Sequence, residues 1–407
     1  MPNKSTGGLD RRDFMVSSLA AAGASAALVA TATIADAQAA ATTAADTATR
    51  RASQGTVYTG DVIQGKKVIS ALDVSDLEPG RHLFYFQGVQ MPAGQHWYVS
   101  VIVVKGARPG KRILLTSGVH GDEMSSVHTV QTVTSQLHSA EMSGTVMAVT
   151  DVSRLALEGM SRRWSNSGRG VGLIDMNREW PGNETGASAT SRQAGILFNR
   201  LFKPNADIAI DFHTGTTGLD ITAMNIGEMN RPEVKTMMEL YPIDHVWDDP
   251  TYPGVLAREL IAAGIPAFTP EIGRARIFDR EMIALFVEGT MNVLKLHGVI
   301  QGAMGRTGKD SGLFIGNSAF PVLATQGGFV EALVKLNDMV EPGQKVAIQR
   351  NAFGEVVAEY TSGVAGEVAV LRSDATSEPG NILAMVLFHQ EVPQTEESQP
   401  EEERYPE

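Results

Sequence analysis

Gly118-Val119-His120-Gly121-Asp122-Glu123 sets an imidazole and a carboxylate three residues apart on a turn flanked by glycine. Leaving a strand on such a turn, the two side chains can face one cation, and a mixed nitrogen and oxygen donor set suits zinc. A third donor has to come from elsewhere. Asp211-Phe212-His213-Thr214-Gly215 supplies it, again where a strand-like run ends in a glycine turn. His120, Glu123 and His213 would then form an open tripod for one zinc ion per subunit, with the fourth position left to water. Pro270-Glu271-Ile272-Gly273 adds a carboxyl group at another strand end, suited to take a proton from that water and return it to a leaving amine. In Asp175-Met176-Asn177-Arg178-Glu179-Trp180-Pro181-Gly182 an amide and a guanidinium lie side by side, a pairing suited to bidentate capture of a substrate carboxylate. A lone histidine is more often packed or solvent-facing than a ligand, and His128, His138, His245 and His297 are read that way.

These groups need a scaffold that brings distant segments together. The pattern predicts strands at Tyr98–Val104, Arg112–Thr116, Thr145–Asp151, Asp207–Phe212, Ile243–Trp247 and Ala267–Glu271. Helical stretches at Ser125–Leu137, Ala187–Phe202, Val255–Ala263 and Asp279–His297 alternate with them. Such alternation implies an α/β domain with a mostly parallel mixed sheet covered by helices on both faces. In that architecture functional groups gather at the carboxyl ends of strands, which is where His120, Glu123, His213 and Glu271 fall. From Gly305 the helical pattern stops. Short strand-like runs with Gly and Pro turns, among them Glu341-Pro342-Gly343 and Glu378-Pro379-Gly380, predict a C-terminal all-β sandwich-like domain.

The expected organisation is a signal over residues 1–39, a linker over 40–54, a catalytic domain over 55–304, the β-domain over 305–390 and an acidic disordered tail over 391–407. Arg11-Arg12-Asp13-Phe14 ahead of an Ala-rich, weakly apolar stretch, with small residues at Ala35, Ala37 and Ala39, has the form of a twin-arginine signal. It predicts passage through the twin-arginine translocation machinery to the periplasm, with no stable membrane insertion after cleavage. The chain of 407 residues carries a formal charge of −12, which disfavours nucleic acid and anionic bilayers as partners and favours a small molecule or peptide. It has no cysteine, so thiol catalysis and cysteine-bound zinc are excluded. No G-x-S-x-G elbow supports a serine hydrolase.

The four motifs, HGDE at His120–Glu123, DMNREWPG at Asp175–Gly182, DFHTG at Asp211–Gly215 and PEIG at Pro270–Gly273, occur in the order found in the succinylglutamate desuccinylase and aspartoacylase group of zinc deacylases, within the zinc carboxypeptidase clan. The chain resembles that group over residues 101–388. The resemblance implies zinc ligation by His120, Glu123 and His213, a general base at Glu271, and a carboxylate grip by Asn177 and Arg178. It implies that Asp175 orients a zinc-bound imidazole, and that an arginine polarises the scissile carbonyl, with Arg162 favoured over Arg163 and Arg169. It also implies that the β-domain restricts the entrance; no Met-Lys-Met modification turn is present, so that domain is read as structural or gating. Two features depart from the group: Asp151-Val152-Ser153 replaces the usual Asn-Pro, and well-known members are not exported.

The expected activity is therefore zinc-dependent removal of an acyl group from an N-acyl amino acid or similar carboxylate-bearing amide. A metallocarboxypeptidase acting on short peptides or cell-wall fragments is the alternative within enzymes, and a non-catalytic binding protein the alternative outside them.

Overall fold

The computed structural model describes residues 55–165 and 173–391. The expected export signal, the linker, Arg169 and the acidic tail beyond residue 391 lie outside the described residues. The main sheet has eleven strands in the spatial order Val57–Ile63, Lys66–Ala71, Gly80–Gln90, His96–Lys105, Ser143–Val149, Arg108–Thr116, Ile208–Asp211, Ala267–Glu271, Met224–Gly227, His245–Asp248 and Phe314–Gly316. Its centre is parallel: Arg108–Thr116 lies between Ser143–Val149 and Ile208–Asp211, and Ala267–Glu271 follows. Antiparallel neighbours flank it on either side, so the sheet is mixed with a parallel core, as the alternating pattern predicts.

Successive residues of the central strands feed opposite faces, because side chains alternate along a strand. Leu114, Ala209 and Ala267 join one apolar core with Leu197 and Leu256 of the helices Ala189–Leu197 and Leu256–Ala262. Ile113, Leu115, Ile210 and Phe268 join the other, beneath Val130 and Val133 of Met124–Ser135 and Phe286 and Val293 of Arg280–Leu296. The helix Arg280–Leu296 starts where expected: the Asp279 carboxylate accepts from the Met282 amide, satisfying one free N–H of the first turn. Among the described residues no helix is long and apolar enough to cross a membrane.

The C-terminal strands form two antiparallel sheets around one core containing Val322, Val346, Val368 and Val386. The two EPG turns serve as expected. Gly343 and Gly380 both hold φ of +85°, and each turn is closed by a bond from the residue after the glycine to the carbonyl of the glutamate. One segment of the sheet-end loops enters this region: Leu219–Ile221, a few residues beyond His213, pairs with Gly366–Arg372.

Candidate metal centre

Register assembles the centre. Thr116 pairs with Asp211 across two parallel strands, and His213 pairs with Glu271 in a parallel bridge just beyond the next. Three segments distant in sequence therefore end at one edge of the sheet. Gly118 leaves its strand at φ +70°, where a Cβ would lie 2.7 Å from the Thr150 carbonyl oxygen. A Cβ on Gly121 would lie 2.0 Å from the Ala156 carbonyl carbon, so the turn carrying His120 packs too closely for a larger residue.

The His120 and His213 imidazoles turn their Nδ1 atoms toward each other at 3.1 Å. The Glu123 carboxylate lies between them, Oε1 at 2.7 Å from His120 Nδ1 and Oε2 at 2.8 Å from His213 Nδ1. The ligand atoms of this trio lie within 4.8 Å of one another, and all three residues are buried. Glu123 occupies the N-cap position of Met124–Ser135 yet makes no side-chain bond to that helix. Its carboxylate accepts instead from the Thr214 amide. Two nitrogens and a carboxylate converging in this way are a donor set that fits zinc, with coordination positions to spare.

The remaining ring nitrogens are held by acids. His120 Nε2 lies 3.0 Å from Asp175 Oδ1, and His213 Nε2 lies 3.0 Å from Asp211 Oδ2. Asp211 also accepts from the Thr116 hydroxyl at 2.7 Å. A carboxylate behind each imidazole fixes the ring and directs its free nitrogen to a cation. Asp175 does this while capping the short turn Met176–Arg178 through the Asn177 amide. The Asp211 support of His213 is absent from the motif-based expectations, although its two-residue spacing from His213 places both on one side of an extended segment.

Arg162 reaches the centre: Nη1 lies 3.2 Å from Glu123 Oε1 and Nε 3.2 Å from Asp175 Oδ2. Arg163 is exposed. Asn177 is buried, with Nδ2 3.3 Å from His213 Nε2, and Oδ1 accepting from the Leu256 amide. Arg178 is exposed, donates to the Asn177 carbonyl, and lies with its guanidinium 5.6 Å from the centre of the Tyr252 ring.

Burial would raise the Glu123 carboxyl, but the two facing imidazoles reverse this and hold it far below the usual carboxylate range. Burial opposes charge on His213 too, yet Asp211 and Glu123 hold its pKa well above that of free imidazole. For Asp175, likewise, burial is outweighed by His120 and Arg162, and its carboxyl is held far down. Glu271 behaves oppositely. Burial pushes it up to about 8, and its Oε2 has no hydrogen-bond partner among the described residues. A buried carboxylate oxygen left open beside a cation site is placed to bind a water and take its proton.

Fold and centre define an α/β protein with two histidines and a carboxylate gathered at strand carboxyl ends in an arrangement able to hold a metal ion. Residues 109–297 match the family model described as Succinylglutamate desuccinylase/Aspartoacylase catalytic domain. It is 25% identical over 299 residues to the N-alpha-acetyl-L-2,4-diaminobutyric acid deacetylase of Halomonas elongata, covering 71% of this chain and 85% of the relative. Its fold resembles a succinylglutamate desuccinylase from a Silicibacter species, with TM-score 0.68 at 21% identity over 77% of this chain and 96% of the other. The product-bound ectoine utilization protein EutE (DoeB) from Ruegeria pomeroyi gives 0.68 at 20% identity over the same shares.

Proposed function

We propose that this chain is a zinc-dependent hydrolase that removes the acyl group from an N-acyl amino acid or a similar carboxylate-bearing amide. The observation that carries this reading is the buried Glu271 Oε2, which has no hydrogen-bond partner among the described residues, set beside His213 in a site with His120 and Glu123. The family match supports amide hydrolysis, and the Halomonas relative is named for removing an acetyl group from an amino acid.

His120, Glu123 and His213 would hold the metal. When bound, zinc supplies a Lewis acid that acidifies water and polarises a carbonyl. Glu271 accepts the proton of the attacking water and later delivers it to the departing amine. The Arg162 guanidinium, aimed at the centre from beside Glu123 and Asp175, donates to the carbonyl oxygen as negative charge develops there. Asn177 and Arg178 bind the substrate carboxylate, Arg178 from the rim against Tyr252. The same reading takes the chain to act in the periplasm after twin-arginine export, on the strength of Arg11-Arg12-Asp13-Phe14 and the Ala-rich stretch that follows.

The test measures amine release from a panel of N-acyl amino acids and short peptides by metal-free and zinc-loaded protein. Zinc should restore activity removed by a chelator. Glu271→Gln should keep its zinc and lose turnover by about 10²- to 10⁴-fold. A Gln variant as active as the parent overturns the role of Glu271, and release of C-terminal residues from peptides, without cleavage of N-acyl groups, favours the carboxypeptidase.

A further inference from the structure

Two residues near the centre other than glycine hold left-handed backbone, Met160 at φ +45° and Arg276 at φ +61°. L side chains rarely adopt such a conformation, and it persists where surrounding contacts over-determine it. These two residues are bonded to each other. Arg276 Nη2 donates to the Met160 carbonyl at 2.9 Å, while its Nε donates to Thr217 Oγ1 at 3.0 Å and its backbone amide to the Asp122 carbonyl at 2.7 Å. Asp122 closes the ring, its Oδ2 accepting from Thr216 Oγ1, the Thr217 amide and Thr217 Oγ1.

Each of these positions belongs to a different segment of the site. Asp122 lies between His120 and Glu123, Met160 is two residues before Arg162, Thr217 follows His213, and Arg276 follows Glu271. We infer that Arg276 is a positioning residue, an exposed clamp that holds the four segments carrying the metal ligands, Arg162 and Glu271 in register without itself touching the metal or substrate. The side chain satisfies a carbonyl and a hydroxyl on two other segments at once, as the planar guanidinium with its five donors allows and a single ammonium does not. The strained backbone is the local consequence of aiming it there.

The inference rests on the zinc hydrolase reading, and its test separates the two. Zinc affinity, measured by competition with a chromogenic chelator, is compared with kcat, KM and thermal midpoint for the parent, Arg276→Ala, Arg276→Gly and Arg274→Ala. Arg274 is on the same loop but is 64% exposed and pairs with Asp220, so its variant should match the parent. Both Arg276 variants should bind zinc roughly 10-fold more weakly, and at saturating zinc they should lose kcat more than they raise KM. Ethylguanidine should restore part of both losses. Arg276→Gly should melt at or above Arg276→Ala, since glycine adopts φ +61° freely. Arg276 variants indistinguishable from Arg274→Ala overturn the clamp, as do losses that follow the melting temperature and do not respond to ethylguanidine. A parent that binds zinc but cleaves no N-acyl substrate overturns the functional reading alone, with the affinities still deciding the clamp; a parent that takes up no zinc overturns both.

Discussion

Asp211 offers the sharpest test of how the centre is built. It is fully buried, with Oδ2 3.0 Å from His213 Nε2 and Oδ1 2.7 Å from the Thr116 hydroxyl. Asn at this position can keep both contacts. Its carbonyl oxygen accepts from the imidazole, and its amide donates to Thr116, whose hydroxyl can turn to accept. What Asp211→Asn removes is the charge behind His213, a change that should weaken zinc binding by about 10- to 100-fold, or about 1.4 to 2.7 kcal/mol. Asp211→Ala also leaves the buried Thr116 hydroxyl and the imidazole N–H without their acceptor, and should lower folding stability by about 1 to 3 kcal/mol. Chelator competition gives the first quantity, and urea unfolding of the metal-free protein gives the second. If Asn and Ala variants both bind zinc as tightly as the parent, the acid does not support the ligand and the reasoning fails.

Two further predictions concern His245 and the expected export signal. His245, on an inner strand of the main sheet, is buried between Asp244 Oδ1 at 2.6 Å and Glu367 Oε1 at 2.5 Å; burial opposes its charge, but the two acids raise its pKa above the ordinary value. The stability it contributes is therefore full below the unfolded pKa of about 6.5 and disappears as pH rises through the folded value, so urea midpoints should fall over that range in the parent and less in His245→Asn; equal slopes would contradict the assignment. For export, replacing Arg11 and Arg12 together by lysine should leave the protein unprocessed in the cytoplasm on fractionation, and undiminished periplasmic protein would argue against the twin-arginine route.

The helix Arg280–Leu296 is legible because its signals are local: Asp279 caps it and Gly298 follows it at φ +67°. The strands ending at Thr116 and Glu271 were legible because each is a short apolar run. Val57–Ile63 was not, since it is largely exposed and is set by pairing with its neighbour. Nor was the antiparallel insertion of Met224–Gly227 beside Ala267–Glu271, because strand order depends on contacts far apart in the chain. His245 illustrates the same limit. Read alone it is an ordinary packed histidine, and its Glu367 partner, on a strand of the C-terminal sheets, is visible once both regions have folded.

The sequence by itself determined the chemistry on offer: two imidazoles and two carboxylates in glycine-flanked turns at strand ends carry their donor properties wherever the chain puts them. Tertiary structure decided which groups support them. It brought Arg162 to the centre while leaving Arg163 exposed, set Asp211 behind His213, and tied four loops through Arg276. Those assignments depend on distances of about 3 Å between residues separated by long stretches of chain, and parallel register and close loop packing fix such distances where composition and spacing do not.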